Sequence, residues 1–214
     1  TLYTLIKMLN QKEVSIVTIE DPIEYAVSGV TQIQINPRTG LSFAQGLRSI
    51  LRQDPNIIMV GEIRDAETAG IAVNTALTGH LLLSTLHTSD AATTLPRLLD
   101  MGIDPYLVAS TVNVAIGQRL VRKICEGCKE PYEKFYQGRG CRACEGVGYH
   151  GRIGVNEVLV VDSEIRDAIV RKASASAIKE IAIKNGMTAM YEDGLAKARA
   201  GLTTISEVLR TINE

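Results

Sequence analysis

Residues 54–88 read DPNIIMVGEIRDAETAGIAVNTALTGHLLLSTLHT, and the architecture of the whole chain can be inferred outward from them. Two short apolar runs, at 57–60 and 81–83, flank a segment with helical periodicity at 66–77. Apolar runs of this length are typical of strands buried on both faces, and strand–helix–strand is typical of a parallel βαβ unit. Asp65 is placed to cap the helix. We therefore predict an α/β fold with a mostly parallel sheet flanked by helices.

Polar residues follow both apolar runs at the point where each predicted strand ends. Gly61 and Glu62 come directly after the first run, and His87 follows the second. In open α/β sheets, ligands bind outside the carboxyl ends of the strands. A single histidine at a strand end is more often structural, but the acid and the imidazole together indicate a functional site.

A third strand is predicted at 15–19, and it runs into the acidic sequence EDPIE at 20–24. An isolated acidic turn is usually no more than a solvated turn. Here an acid also follows the strand at 57–60, and this recurrence favours a function. The helix predicted at 42–52 places Arg48 and Arg52 one turn apart, either as two solvated arginines or as a phosphate or subunit contact.

The remaining elements are predicted from periodicity and from capping residues. We expect helices at 1–9, 89–100 and 105–123, a half-buried strand at 29–35, and helices throughout 156–214. The helix at 105–123 would end in Arg119, Arg122 and Lys123, which the helix dipole accounts for without a further function. Thr204 and Glu207 fit a capping box. The predicted division of the chain is a core at 1–124, a cysteine segment at 125–154 and a helical subdomain at 155–214.

The composition of the 214 residues excludes several classes of protein. With 45% hydrophobic and 22% charged residues it is globular, and no apolar run approaches the ~20 residues of a transmembrane helix. A net charge of −1 and an aromatic content of 4% argue against a nucleic-acid partner that binds by charge or stacking. No secretory signal is present. We expect a cytoplasmic protein without a transmembrane segment.

The four cysteines form two CxxC pairs separated by twelve residues: Cys125, Cys128, Cys141 and Cys144. Four thiolates provide the tetrahedral ligand set of structural Zn²⁺. A disulfide framework would need an oxidising compartment, and a thioredoxin-type motif needs only one pair. We predict a structural zinc site, in which the four thiolates leave no coordination position for catalysis.

Four stretches of the sequence carry a resemblance to a known family. They are TIEDPIEY at 18–25, LRQDPNIIMVGEIRDAETA at 51–69, TGHLLLSTLHTSDA at 78–91 and QRLVRKICEGCKEPY at 118–132. Together they strongly resemble the secretion ATPases of bacterial type II secretion and type IV pilus assembly, and the resemblance runs along the whole chain. It implies a RecA-like fold, a homo-hexameric ring and hydrolysis of ATP with Mg²⁺ at subunit interfaces. It also implies the tetracysteine Zn²⁺ site, which retraction ATPases generally lack.

The resemblance also implies roles for individual residues. The family's Asp box corresponds to Glu20, Asp21 and Glu24, its Walker B region to Gly61, Glu62 and Arg64, and its His box to His80 and His87. Phosphoryl transfer needs Mg²⁺, a residue that positions water and cations for the developing charge. Glu62 would hold the Mg²⁺ shell or polarise water, Glu20 would align or deprotonate the nucleophile, and His87 would contact the γ-phosphate or the neighbouring acids. The other five residues would contribute to nucleotide binding.

The sequence departs from this family in two ways. It contains no GxxxxGK[ST] phosphate-binding loop, which the family places immediately before the sequence TLY that opens this chain. We therefore expect a chain that begins inside a helix, that lacks the family's N-terminal domain and that by itself binds ATP poorly. The twelve residues between the cysteine pairs are also few for the family.

The resemblance leads to an interpretation with two alternatives. We interpret the chain as the C-terminal part of an ATPase that pushes on an inner-membrane platform protein, and that is peripheral to that membrane through its partners. One alternative is a zinc-stabilised interaction module without catalysis. The other is a RecA-like nucleic-acid translocase, which the charge and the few aromatic residues disfavour.

Overall fold

The computed structural model describes residues 1–213, and they form two compact units. We call the first the sheet unit, which comprises residues 1–88, 94–112 and 166–173. The second is the ribbon unit, which comprises residues 89–93, 113–165 and those from 174 onward. None of the helices in the described part of the chain has the length and apolar composition needed to cross a bilayer.

A four-stranded parallel sheet forms the centre of the sheet unit. Its strands are β1 (Ile16–Glu20), β2 (Thr31–Gln34), β3 (Ile57–Val60) and β4 (Leu81–Ser84), in the order β2-β1-β3-β4. This confirms the predicted α/β fold and parallel sheet. The central strands β1 and β3 are buried at every residue, as their apolar sequences predict. β4 lies at one edge of the described sheet and is only partly buried, so the prediction of burial on both faces is wrong for residues 81–83.

Helices cover both faces of this sheet. They are α1 (Leu2–Leu9), α2 (Phe43–Ile50), α3 (Ala66–Leu77), α4 (Thr94–Asp100) and α5 (Pro105–Thr111). Ile6 of α1 packs in one core cluster with Ile16. Gly46 of α2 lies against Ile19, where a side chain would overlap the isoleucine. Because Ile16 and Ile19 are three residues apart on one strand, α1 and α2 lie on opposite faces of the sheet.

The ribbon unit is built around a long antiparallel pair, β5 (Val114–Ile124) and β8 (Tyr149–Val160). A second, shorter antiparallel pair is formed by β6 (Lys129–Tyr132) and β7 (Phe135–Gly138). The helices after β8 are α6 (Ser163–Val170), α7 (Ala175–Lys184), α8 (Met190–Arg199) and α9 (Ile205–Asn213). Val121 of β5, Val155 of β8 and Met190 of α8 form a core cluster of this unit.

Three helix predictions are wrong in part. Residues 114–123 are strand, because α5 ends at Thr111 and the residues of β5 from Val114 to Val121 alternate between more exposed and more buried positions, as a half-buried strand requires. Residues 156–160 are likewise the end of β8 and not helix. The helix predicted at 89–100 begins at Thr94, because Asp90 accepts hydrogen bonds from Thr93 in a turn. The predicted boundaries at 124 and 154 do not coincide with the two packing units, since β5 and β8 pair across both of them.

The predicted helix caps are present. Asp65 Oδ1 accepts the Thr68 N–H at 2.7 Å, as predicted. Ser42 Oγ also caps α2, where it accepts the Gln45 N–H at 3.3 Å. Thr204 Oγ1 accepts the Glu207 N–H at 3.2 Å, which is half of the predicted capping box. The Glu207 carboxylate does not complete the box, because it pairs with the guanidinium of Arg122 at 2.6 Å. The helix dipole therefore does not explain Arg122, which lies in β5.

Candidate functional site

The exits of the three neighbouring strands β1, β3 and β4 meet at one edge of the sheet. β1 ends at Glu20, and the N–H of Gly61 just beyond β3 donates to the carbonyl of Ile19 at 2.8 Å. Beyond β4, the hydroxyl of Thr85 donates to the carbonyl of Gly61 at 2.7 Å. These contacts fix the peptide units on either side of Gly61, directly before Glu62. The sheet thus brings the acidic strand exits to one edge, as the sequence predicts.

Glu62, Arg64 and His87 form one charged cluster at this edge. Glu62 Oε1 lies 2.6 Å from an Arg64 guanidinium nitrogen, and Glu62 Oε2 lies 2.9 Å from His87 Nε2. The Glu62 side chain is 12% exposed, whereas those of Arg64 and His87 are 59% and 81% exposed. Burial raises the pKa of Glu62, but the hydrogen bonds and charges of Arg64 and His87 outweigh it and leave the pKa lowered. Glu62 is therefore an ionised carboxylate at neutral pH, with two donors that face solvent.

Asp21 contributes to the same cluster through its charge. The pKa of Arg64 is raised, first by the hydrogen bond and charge of Glu62 and then by the charge of Asp21. The positive charge of the Arg64 guanidinium thus offsets part of the negative charge of Glu62 and Asp21. Such an arrangement could present carboxylate oxygens to a Mg²⁺ ion and the exposed donors of Arg64 and His87 to phosphate oxygens.

Glu20 lies in a separate, buried network and not in the Glu62 cluster. It is 3% exposed. Its Oε1 accepts hydrogen bonds from the hydroxyl of Thr18 and from Gln32 Nε2, the latter at 3.0 Å, and its Oε2 accepts one from the hydroxyl of Tyr3. Three neutral donors thus hold this carboxylate, which is how a buried acid avoids an unpaired charge.

Tyr3 and Gln32 are site residues that the sequence patterns do not reveal. The Tyr3 hydroxyl also accepts the Glu24 N–H at 3.2 Å, and its ring lies 4.5 Å from that of Tyr25. Burial and then the hydrogen bond to Glu20 raise the pKa of Tyr3. The one available signal is that Tyr3 lies a turn before Ile6 on the buried side of α1. Gln32 could be found only from the register of β1 and β2, which pairs it with Thr18.

Two of the predicted nucleotide-binding residues, His80 and Glu24, make contacts within the protein. His80 Nδ1 lies 3.1 Å from the Thr78 hydroxyl and 3.3 Å from the Thr75 carbonyl, so its ring contacts the end of α3. Glu24 contributes its backbone N–H to the Glu20 network through Tyr3. Their roles toward a nucleotide stay predictions.

Arg48, one of the two arginines predicted to share a face of the helix at 42–52, has a partner in the sheet unit. Its guanidinium lies 2.7 Å from the carboxylate of Glu67, and the two side chains are 54% and 61% exposed. Exposed pairs of this kind add little to stability. Arg48 is thus engaged in a solvated ion pair.

The four cysteines converge in the ribbon unit, as their spacing predicts. Their sulfur atoms all lie within 4.8 Å of one another, and the close pairs are separated by 3.7 to 3.8 Å. Sulfurs at 2.3 Å from a central Zn²⁺ in a tetrahedron would be separated by about 3.8 Å. All four are free thiols in the structure. The arrangement therefore fits a four-coordinate structural zinc site.

The backbone around Cys144 already favours its thiolate form. Cys144 Sγ accepts the N–H groups of Cys141 and Gly148, each at 3.2 Å, and these bonds lower the pKa of Cys144 to about 6. Burial instead raises the pKa of Cys128 to about 12. Metal ligation requires deprotonated thiols. The fold therefore favours the thiolate of Cys144 before a metal binds, whereas a metal ion would have to displace the proton of Cys128.

The sequence profile of the family described as type II/IV secretion system protein matches residues 1–210. The chain belongs to this family. It is 48% identical, over 99% of its length, to a type IV pilus assembly ATPase, PilB, of Thermus thermophilus, of which it covers 26%. It is 49% identical, over its full length, to a type II secretion system protein E of Xanthomonas campestris, of which it covers 41%. The chain thus spans less than half the length of these relatives.

The solved structure of a pilus motor has a similar fold. The pilus retraction motor PilT with bound ADP superposes with a TM-score of 0.76 at 29% identity, over 98% of this chain and 56% of PilT. The alignments to the two curated relatives extend over 232 and 234 positions, more than the 214 residues of this chain. The relatives therefore carry additional residues within the matched region.

Proposed function

We propose that the chain is the C-terminal part of a hexameric, Mg²⁺-dependent ATPase that powers the assembly of pilin or pseudopilin subunits. The observation that carries this proposal is the Glu62–Arg64–His87 cluster, at the edge where β1, β3 and β4 end. The printed names of the relatives, a pilus assembly ATPase and a type II secretion protein, agree with it. The protein would act at the cytoplasmic face of the inner membrane, against a platform protein embedded there.

The residues of the site can be assigned complementary tasks. Glu62 and Asp21 would hold Mg²⁺, which when bound supplies charge neutralisation on the phosphates. Arg64 and His87 would donate to phosphate oxygens as negative charge develops on them. Glu20 would align the attacking water or accept its proton, and its three donors fix the carboxylate for this task. The phosphate-binding loop and further cations would come from the rest of the protein.

Assembly is favoured over retraction by two observations. The identity to an assembly ATPase is 48%, compared with 29% to the retraction motor. The four cysteines also converge in the geometry of a zinc site, and the sequence resemblance associates such a site with assembly and export motors. We therefore place the protein among the motors that extend a filament.

The test is the rate of ATP hydrolysis by the full-length protein with Glu62→Gln. The amide keeps the shape of the side chain but removes the charge that pairs with Arg64 and His87, so we expect hydrolysis to fall on the order of 100-fold. The control is Glu13→Gln, which removes an exposed carboxylate of the same unit. Undiminished hydrolysis by Glu62→Gln would show that the site lies elsewhere.

A further inference from the structure

A short loop connects the candidate site to the ribbon unit. After β4 the chain passes through His87 and leaves the sheet unit at Thr88, and it returns at Thr94. The hydroxyls of Thr88 and Thr94 lie 3.1 Å apart, which closes the base of the loop. The five residues between them, Ser89–Thr93, pack as part of the ribbon unit. His87 is thus two residues from a segment that packs within the ribbon unit.

One buried carboxylate holds this segment. Glu157 of β8 is 1% exposed, and its Oε1 accepts the N–H of Ala91 at 2.8 Å. Its Oε2 accepts the N–H of Met190 at 3.2 Å, at the start of α8, where the N-cap residue Ala189 has no side-chain acceptor. Glu157 therefore serves two elements at once, as the cap of α8 and as the anchor of the loop.

A lysine also contacts both Glu157 and the loop. Lys179 of α7 lies 3.7 Å from Glu157 Oε2 and 3.0 Å from Asp90 Oδ2. Asp90 Oδ1 in turn accepts the N–H and the hydroxyl of Thr93, at 2.8 and 2.6 Å. The loop is thus attached at Asp90 and at Ala91, through a charge pair and through a charge-assisted hydrogen bond.

Gly117 of β5 makes this arrangement possible. It is the cross-strand partner of Glu157, and a Cβ at this position would lie 2.9 Å from Glu157 Cγ and 3.0 Å from the Ala91 nitrogen. The missing side chain leaves the space through which the Glu157 side chain crosses β5 to reach the loop. The strand pair is therefore shaped around this one contact.

We propose that Glu157 is a positioning residue for ATP hydrolysis, which acts through Ala91 and the 88–94 loop to hold His87 against Glu62. This inference rests on the proposed function. His87 is 81% exposed, and its one hydrogen bond described by the structure is to Glu62. Its position therefore depends on the backbone on both sides, which Thr85 fixes at the strand end and Glu157 fixes at the loop.

Glu157→Gln in the full-length protein tests the proposal, and Glu207→Gln is the matched control. Glu207 is 2% exposed, lies in the same unit, and likewise accepts a backbone N–H and pairs with a cation, but its partner is Arg122 in β5. Both variants should lower the urea midpoint of the ribbon unit. Only Glu157→Gln should accelerate amide exchange in residues 85–93, by about 10-fold. The NH₂ group of glutamine cannot accept a hydrogen bond, so the N–H groups of Ala91 and Met190 can no longer each have their own acceptor oxygen.

Hydrolysis provides the second readout. Glu157→Gln should lower kcat about 10-fold while KM for Mg-ATP changes by less than about 2-fold, since nucleotide contacts stay in place and only the His87 geometry is lost. If Glu157→Gln does not fold, Lys179→Met is used in its place, because it removes the ion pair with Asp90. It should also accelerate amide exchange in residues 85–93 and lower kcat, but by smaller factors. Unchanged exchange in residues 85–93, or equal loss of kcat in the Glu207→Gln control, would overturn the proposal. A wild-type protein that does not hydrolyse ATP would overturn the proposed function, while exchange would still decide whether Glu157 holds the loop.

Discussion

At the scale of single residues, the site contains two glutamates in opposite environments. Glu62 is held by the exposed Arg64 and His87, whereas Glu20 is held by three uncharged donors in the interior. The three hydrogen bonds fix the orientation of the Glu20 carboxyl group, whereas the partners of Glu62 face solvent. We therefore propose that Glu20 orients water and that Glu62 meets Mg²⁺.

The first prediction concerns the hydroxyl of Tyr3. Tyr3→Phe removes one of three donors to the buried Glu20 carboxylate and should lower the free energy of unfolding by about 1–2 kcal/mol. Hydrolysis by the full-length protein should fall as well, because the carboxylate can then rotate. Urea denaturation and a steady-state ATPase assay measure the two effects.

Tyr25→Phe is the control for this prediction. It keeps the aromatic contact with Tyr3 and removes a hydroxyl from a side chain that is 47% exposed. The free energy of unfolding and the rate of hydrolysis should both stay near their wild-type values. Equal losses in the two variants would show that the ring contact, and not the hydrogen bond to Glu20, is what matters at this position.

At the scale of secondary-structure elements, one acid joins α9 to β5. The hydrogen bond and charge of Arg122 lower the pKa of Glu207 to about 2, against the effect of burial. In the unfolded chain the pKa of a glutamate is about 4.3. Glu207 therefore stabilises the fold fully above about pH 5, and this stabilisation, on the order of 3 kcal/mol, is lost as the pH falls toward 2.

The second prediction follows from this pKa. The difference in free energy of unfolding between the wild type and Glu207→Gln should be largest at pH 7 and should narrow at pH 3, because Glu207 then takes up a proton in the unfolded chain. Urea denaturation at both pH values measures it. A difference that does not change with pH would mean that the carboxylate is not ionised in the folded protein.

The third prediction concerns the cysteine segment. We expect one Zn²⁺ per chain in protein purified without added zinc, measured by elemental analysis. Removal of the metal with a chelator should accelerate amide exchange between Cys125 and Gly148, because ligand binding energy is also folding energy. The sheet unit serves as the internal reference and should keep its exchange rates. Negligible zinc together with four reactive thiols would refute the assignment.

Much of the fold at this scale could be predicted from the sequence. The strands at 57–60 and 81–83, the helix at 66–77 and its Asp65 cap follow from local pattern, and the structure confirms them. β5 was mistaken for helix because Arg119, Arg122 and Lys123 suit a helix end equally well. Its identity depends on pairing with β8, some 35 residues away, and local periodicity contains no information on that partner.

Part of the candidate site could be placed in the fold from the sequence. Glu20 and Glu62 lie at or just beyond the ends of strands, so the strand exits point to them, while their roles stay predictions. Tyr3 and Gln32 were not predictable, since each reaches Glu20 through a contact between elements distant in sequence. Sequence patterns thus reveal the groups at the surface of the site and miss the groups that hold them.

At the scale of the whole molecule, the chain has the acids that we propose for ATP hydrolysis but no GxxxxGK[ST] sequence. Backbone N–H groups and the lysine of such a loop provide most of the contact with a triphosphate. The fourth prediction is that the 214-residue chain binds Mg-ATP poorly, and that a longer form carrying the loop binds it well. Calorimetry on the two forms makes the comparison. Micromolar binding by the 214-residue chain would show that the nucleotide site has been misplaced.

The turn between β6 and β7 has a practical consequence. Residues 131–134 are exposed, and Glu133 adopts a left-handed backbone conformation at the tip of an antiparallel pair. The strands on either side fix each other, so the connection can be lengthened without disturbing them. An epitope or a fluorescent label inserted between Glu133 and Lys134 should therefore leave the fold intact and allow the protein to be followed in living cells.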